Sequence, residues 1–458
     1  MAKILAVAAN TVKQALRMKI AIVFIILLLV LLPLLAMSSS GDGTVQGRLQ
    51  AFVSYGLSLT ALLLSLLTIF VTAHTTSSDI VHRQVFTVLS KPIRRWQFLL
   101  GKFLGVLYLD LSLLALFGAV IYGFVVLTPR FVGVPPQEMA RLMDQFFSAR
   151  SGIKPILEDV NEALVEAEYQ KMAESGQLAP FFEKGIPPKT IKAQMRNIKR
   201  LAQTAAAPGR ELVREFENVQ ALDPNDSIFI QFKYDVAVTP PDEQILGLWV
   251  VGDNRPPSTG KTLETRIWPE ERSDPVRTKR EFAVPADVIA KDGYLAVAFI
   301  NPPVNNTAVI FPIEDGLEVM FKAGTFLSNF LRAELLILMQ LVFLCAISIF
   351  ASSFLSFPVA ILLCLMIFTT ASVNGFITES FEYLSKDIGR VYDMSIKLLV
   401  DMLPKFDKTN PTPYLVAGRL IRWSLVAKMA GVVVGLWSVL SLGLGLWIFS
   451  SREVARTN

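Results

Sequence analysis

Long uncharged runs alternate along this chain with stretches whose apolar residues recur at helical or strand spacing. Lys19 to Met37 reads KIAIVFIILLLVLLPLLAM, free of charge after its first residue. That is long enough to cross a bilayer core, which takes about 20 helical residues. Comparable runs at Val53–Ala73, Phe103–Leu127, Ala333–Phe354, Val359–Ile377 and Val426–Phe449 bring the expected number of spans to six. A cleaved signal peptide is the competing reading of the first run, because small residues follow at Ala36 and Ser38 to Ser40. The polar stretch ahead of it is too long for a usual signal-peptide n-region, and further spans follow. Ser352 to Pro358, SSFLSFP, separates the fourth and fifth runs as a tight helical hairpin would. Gly431 and Gly435, four apart in the sixth, permit close helix packing.

Between the third and fourth spans the pattern changes twice. Leu157, Val160, Leu164 and Ala167, then Ile191, Met195, Ile198 and Leu201, recur at spacings of three and four. They predict two amphipathic helices parted by Gly185 to Pro188. From Ser227 the period becomes two: Ile228, Ile230, Phe232, Tyr234, Val236 and Val238 mark one face of a strand. Further strands are expected at Ile245–Val251, Thr262–Trp268, Arg280–Val284, Tyr294–Asn301 and Thr307–Phe311, with Pro, Gly and Asn between them. Short strands punctuated in this way predict a β-sandwich, either a structural cap or a jelly roll of the carbohydrate-binding kind.

Composition sharpens this picture. Apolar residues make up 52% of the 458 and charged ones only 18%, with a mean hydropathy of +0.48, which excludes a purely soluble protein. The net charge of +5 is too small and dispersed to argue for nucleic acid. Its placement is more telling. Lys3, Lys13, Arg17 and Lys19 precede the first span, and Arg83, Lys91, Arg94, Arg95 and Lys102 lie between the second and third against the single acid Asp79. By the positive-inside tendency both flanks are cytoplasmic, as is the C-terminal tail with Arg452 and Arg456, so the insertion lies outside. Arg419, Arg422 and Lys428 fit this topology badly, and a half-buried or re-entrant segment before the sixth span would accommodate them. Cys345 and Cys364 both sit in apolar runs, and His74 and His82 are the only histidines, so a disulfide framework, a Cys-ligated zinc site and histidine metal chemistry are not expected.

RPPSTGKT, Arg255 to Thr262, is a near miss for a phosphate-binding loop. Arg255 stands where Gly is required, and two prolines remove backbone donors. No other nucleotide motif or catalytic constellation is legible, so neither catalytic residues nor cofactors are expected in this chain. Asp110 falls inside the third span, where an ionisable group is costly and often functional. Gln340 and Asn374, with Ser348, Thr369, Thr370 and Ser372, are polar positions of spans four and five. They are either interhelical hydrogen-bonding groups or, together with Asp110, a candidate substrate path. Lys189, Lys192, Arg196, Lys199 and Arg200 give the second insertion helix a basic face, solvated or anion-facing.

The segment Ser77 to Gly105, SSDIVHRQVFTVLSKPIRRWQFLLGKFLG, carries most information. Val81, Val85 and Val88 or Leu89 form an apolar face, so a short amphipathic helix is expected over about 77–91, ended by Pro92. Physically it could lie on lipid or present its polar face to a cytoplasmic partner. The run from Asp79 through LSKPIRRWQFLLGK resembles the coupling segment between the second and third spans of ABC-2 type transporter permeases. Ile4 to Lys19, ILAVAANTVKQALRMK, is similar to that family's interfacial elbow helix, and SIFASSFLSFPVAILLCLMIF to its hairpin of spans four and five. Asp79 stands where the family more often has Glu, and the insertion after span three is unusually large.

The resemblance covers both membrane halves but not the insertion, and implies a mainly α-helical polytopic membrane protein of six spans; the insertion, read from its own periodicity, makes an inserted extracytoplasmic α+β domain containing a β-sandwich. Residues 1–128 would hold the elbow helix, spans one to three and the coupling helix; 129–332 the insertion; and 333–458 spans four to six. It implies a permease subunit of an ATP-driven exporter in a bacterial inner membrane, termini cytoplasmic, paired with a second permease subunit and with a separate ABC ATPase that hydrolyses the ATP. Asp79, Arg83, Lys91, Pro92, Arg94 and Arg95 would contact the ATPase, and Gly101 with Lys102 would start span three at the surface. A non-transporting anchor that displays the β-sandwich as a binding or sensing module is the alternative.

Overall fold

The computed structural model describes the chain apart from residues 40, 42, 82–92, 158–161, 176–177, 179–186, 222–225, 256–264, 314, 383–402 and 452–458. It divides into two units, residues 1–149 with 324–458, and residues 150–323. The helices flanking the insertion thus run past the edges expected at 128 and 332. Five helices precede it: α1 (Ala2–Leu16), α2 (Lys19–Ser38), α3 (Val45–Val81), α4 (Arg95–Val132) and α5 (Pro136–Gln145). Within it lie α6 (Glu162–Glu174) and α7 (Pro188–Thr204). After it come α8 (Phe326–Ser352), α9 (Phe357–Ser372), α10 (Asn374–Glu382), α11 (Thr412–Val416) and α12 (Trp423–Ser451).

Among the described residues α2, α3, α4, α8 and α12 are long and apolar enough to cross a membrane. Of the most apolar 18 residues, 67% are buried in α3 and 72% in α8, against 22% in α2 and 28% in α12. The first two therefore form the centre of the bundle. The others form a rim that turns Ile22, Val23, Ile26, Leu29 and Val30 of α2 and Leu436, Val439 and Trp447 of α12 outward. An apolar rim of this kind is suited to hydrocarbon. α12 changes winding over Ala430–Ser438, a π-helical stretch in which Ser438 Oγ donates to the Val433 carbonyl five residues back, at 2.8 Å.

The fifth expected span is broken. α9 has 16 residues, about 24 Å at 1.5 Å per residue, short of the ~30 Å hydrocarbon core. It ends before Val373 and the chain restarts as α10. Local chemistry accompanies the break: the Thr369 and Ser372 hydroxyls donate to carbonyls of their own helix, and Val373 alone leaves the helical path, with Asn374 and Gly375 already in the first turn of α10. Val359–Ile377 is therefore not one continuous helix. Likewise, the separate amphipathic helix expected over 77–91 is replaced, as far as Val81, by a continuation of α3; residues 82–92 lie outside the described part.

The second unit is built on two four-stranded sheets. One has the order β1 (Ser148–Ile153), β11 (Leu317–Thr325), β4 (Ser227–Phe232), β8 (Arg280–Pro285). The other has the order β3 (Glu211–Phe216), β9 (Leu295–Ile300), β6 (Gln244–Gly252), β7 (Trp268–Pro275). A small third sheet joins β2 (Ala205–Ala206), β10 (Val309–Ile310) and β5 (Asp235–Val236). Phe232 of β4 and Phe282 of β8 meet Trp249 of β6 at ring-centre distances of 4.7 and 5.5 Å, and Trp249 meets Phe299 of β9 at 4.9 Å. The two main sheets thus share one aromatic core.

The period-two stretch is split at Lys233–Tyr234 into β4 and β5. Ile228, Ile230, Phe232, Tyr234 and Val236 are buried as the period predicts, Phe229 of the opposite face is buried as well, and Val238 is exposed. Of the strand expected at Thr262–Trp268, residues 262–264 lie outside the described part; among the described residues it begins at Trp268 and pairs antiparallel with β6 as far as Pro275. Its sequence, WPEERSDP, carries no apolar alternation because β7 is an edge strand, where charge and proline are tolerated.

Candidate functional site

The basic segment between the second and third apolar runs connects the C-terminal end of α3 to the start of α4. Two glycines of α4 set the local packing. A Cβ on Gly101 would fall 2.6 Å from Val7 Cβ, and one on Gly105 would fall 2.7 Å from the Ala8 carbonyl oxygen. α1 therefore lies against α4 closer than any side chain allows, with Thr11 and Ala15 buried beneath it. Gly101 is consequently a packing residue in the second turn of α4. Gly431 has no neighbour within this range, and Gly435 only its own helix.

This close approach brings three helices around one ion pair. Lys102 Nζ lies 2.5 Å from Asp79 Oδ2 and donates to the Thr75 carbonyl at 2.7 Å. Gln14 Nε2 of α1 donates to Asp79 Oδ1 at 3.3 Å. Phe98 contributes its ring 5.3 Å from the ammonium. Lys102 and Asp79 are 2% and 6% exposed, so neither side chain offers a surface to a partner. Burying either charge alone would cost several kcal/mol, and the pair is retained because each partner supplies the other's counter-charge and hydrogen bonds.

Arg94 is exposed, and its N–H donates to Gln97 Oε1 at 3.1 Å, closing the first turn of α4. Arg95 Nη1 donates to the Phe449 and Ser450 carbonyls, at 3.2 and 2.6 Å, and so satisfies the C-terminal carbonyls of α12. Arg83, Lys91 and Pro92 lie outside the described residues.

Asp79 is the last member of a buried polar stripe on α3 that includes Thr60, Thr68, Thr72, Thr75 and Thr76, all at most 1% exposed. Asp110 of α4 meets this stripe: its Oδ1 is 3.0 Å from Thr68 Oγ1. Gln340 of α8 donates to Ser65 Oγ at 3.0 Å, about one turn away on α3. Asn374 does not join them, since its Nδ2 donates to the Leu403 carbonyl at 3.3 Å. Ser348 donates to the Ile69 carbonyl at 3.2 Å, so the polar positions of α8 act as interhelical hydrogen-bonding groups. Sequence reasoning missed Glu334, half-buried on α8 beside Gly118 with Oε1 unpaired among the described residues. Its position at the polar edge of an apolar run was the available signal.

The inserted unit offers a different kind of site. A cleft of about 600 Å³ is lined by Pro240, Asp242, Gln244, Ser273, Asn305 and Asn306. Asn305, the first residue of the Asn-Asn-Thr sequon, donates through Nδ2 to the Leu246 carbonyl at 2.7 Å and to Asn301 Oδ1 at 2.8 Å, so its amide is already engaged in the fold. Arg255 of the near-miss phosphate loop bonds Asp253 and Asp292 and stacks 4.1 Å from the Tyr294 ring. That holds both carboxyls below their ordinary range, and burial beside Glu215 pushes the Tyr294 hydroxyl up to about 12. Residues 256–264 of that loop lie outside the described part. The basic face of α7 is partly neutralised, with Lys192 paired to Glu166 and Lys199 to Glu168 of α6.

No family model, curated protein or solved structure matches this chain.

Proposed function

We propose that this chain is the membrane-spanning subunit of an ATP-driven exporter of the ABC-2 type, with six spans, the fifth formed by α9 and the residues that follow it. A separate ABC ATPase would dock on the cytoplasmic segment 82–95, and a second permease subunit, identical or different, would complete the dimer in a bacterial inner membrane. The inserted unit would then be extracytoplasmic.

One observation supports this reading above the others. The two ends of the basic segment, α3 at Asp79 and α4 at Lys102, are tied together by a buried ion pair and clamped from the side by α1 through Gln14, Gly101 and Gly105. A push delivered to residues 82–92 would move α3, α4 and α1 as one body instead of bending a loop. α3 is also the central helix, so the displacement would pass directly to α8. In this scheme Asp79 and Lys102 are positioning residues, and the ATPase contacts fall to Arg83, Lys91 and the exposed Arg94.

Purification of the full-length protein from its native membrane tests the proposal. We expect an ABC ATPase to accompany it stoichiometrically with vanadate-sensitive hydrolysis. The combined Arg83→Glu, Lys91→Glu and Arg94→Glu variant is expected to insert normally and lose that partner. Reproducible absence of an ATPase from the wild-type preparation would overturn the reading. The cleft at Asp242 and Gln244 would then favour the alternative, a membrane-anchored binding module.

A further inference from the structure

We propose that Asp110 is a proton-binding site: in this conformation the membrane unit holds one proton on the Asp110 carboxyl, shared with Thr68 between α3 and α4. Thr68 Oγ1 is 2.7 Å from the Leu64 carbonyl oxygen and 3.0 Å from Asp110 Oδ1. A hydroxyl has a single hydrogen and a carbonyl oxygen has none. With the shorter contact taking the threonine hydrogen, the contact to Asp110 is a hydrogen bond only if the carboxyl supplies the second one.

The surroundings agree. Asp110 is fully buried, and Oδ2 has no partner among the described residues. α3 presents only hydroxyls here, Thr68 and Thr72. Its one carboxylate on this stripe, Asp79, is about three turns away and paired to Lys102. α8 presents the Cys345 thiol, bonded to Thr72 at 3.7 Å, and, about three turns from it, Glu334. On α4 itself the nearest cation is Lys102, two turns away and occupied by Asp79 and the Thr75 carbonyl. A carboxylate in this place would be an uncompensated buried charge, the costliest arrangement a helix bundle can hold. A neutral acid needs no counter-ion, and its one hydrogen has a place to go.

The site has a consequence for movement. When α3 and α4 part enough for water to enter, the Asp110 O–H bond breaks, the proton passes to water and the electron pair stays on the carboxylate; closure reverses the step. Opening and closing therefore exchange one proton with solvent. This follows from the bundle alone and does not depend on the identity of the partner.

Infrared spectroscopy of the full-length protein in lipid at neutral pH tests it. A protonated carboxyl C=O band, shifted down in heavy water, is expected in the wild type, lost in Asp110→Asn and retained in Glu334→Gln. Thr68→Val, which deletes the acceptor and leaves the acid in place, is expected to move that band to higher frequency. It keeps the test open if Asp110→Asn does not fold. Loss of a carboxylate band in Asp110→Asn, or a wild-type carboxylate band that responds to sodium, would overturn the proposal. So would an Asp110 band that Thr68→Val leaves in place.

Discussion

The two units of this protein solve the problem of interior polarity in opposite ways. The helical unit places Asp79, Lys102 and Asp110 inside, each with a partner on a neighbouring helix. The inserted unit fills its interior with Phe232, Trp249, Phe282 and Phe299 and leaves most of its ion pairs at the surface, as with Arg255 to Asp253 and Asp292 or Lys233 to Asp315. The contrast follows from what drives packing. Apolar burial holds two sheets together in water. Helices surrounded by hydrocarbon gain nothing from hiding leucine, so close backbone approach and polar contacts decide which faces meet. Charge should therefore matter more to stability inside the first unit than at the surface of the second, where the partly buried pairs Arg150–Glu281 and Arg272–Asp274 are the exceptions.

The largest effect expected from this comparison is at Asp79. Asp79→Leu leaves the Lys102 ammonium buried with only the Thr75 carbonyl and the Phe98 ring for company. Breaking a buried pair from one side typically costs about 3–5 kcal/mol. The double variant Asp79→Leu with Lys102→Met should recover most of that, because an apolar pair of similar volume is often neutral in such a position. Thermal melting of the purified protein in lipid or detergent checks both. A double variant as unstable as the single one would mean that the pair is not the source of the cost.

How much of this was legible in the sequence varies with the kind of force. The five long apolar helices α2, α3, α4, α8 and α12 could be read because uncharged length is a strong, local signal, and β6, β8 and β9 because apolar residues recur at every second position. β7 escaped because an edge strand has no buried face to mark it. β11, LEVMFKAGT, escaped although its first residues do alternate, because its apolar signal fades toward the next helix. The Asp79–Lys102 pair was present as two charges at matching depth on consecutive helices. Periodicity within one helix cannot show that they meet. The fifth run read as continuous because hydropathy averages over Thr369 to Val373, where the helix is interrupted at a single apolar residue.

The glycines give a middle-sized test. In GKFLG, Gly101 and Gly105 of α4 face α1 with no room for a Cβ, and the obstacle at Gly105 is the Ala8 backbone, which cannot rotate away. Gly105→Val should displace α1 and cost about 1–3 kcal/mol, the usual range for overpacking. Increased proteolysis of residues 2–16 is the direct readout. Gly431→Ala, four residues from Gly435 in an equally suggestive sequence, meets open space and should stay within about 0.5 kcal/mol of wild type. Equal effects at both positions would show that sequence spacing, and not the contact to α1, governs the outcome.

The smallest effect is expected from the surface charges of the inserted unit, and its sign can be worked out. The Val236 N–H and Arg277 hold Asp235 below its ordinary value of 3.8, Arg255 does the same for Asp253 and Asp292, and Lys233 for Asp315. A carboxyl depressed in the folded state contributes stability that is fully present above its unfolded value and is lost as pH falls through the folded one. These pairs therefore help above 3.8 and fade in stronger acid. The Asp235, Asp292 and Asp315 side chains are exposed and that of Asp253 is only partly covered, so the contribution is slight and salt should reduce it further. Near-ultraviolet circular dichroism of the aromatic core around Trp249, followed during melting at a series of acidic pH values, provides the measurement. Arg255→Gln should flatten the acid dependence of that transition while leaving the melting of the helical unit untouched. A slope unchanged by this variant would place the acid sensitivity of the sheets elsewhere than in the Arg255 cluster.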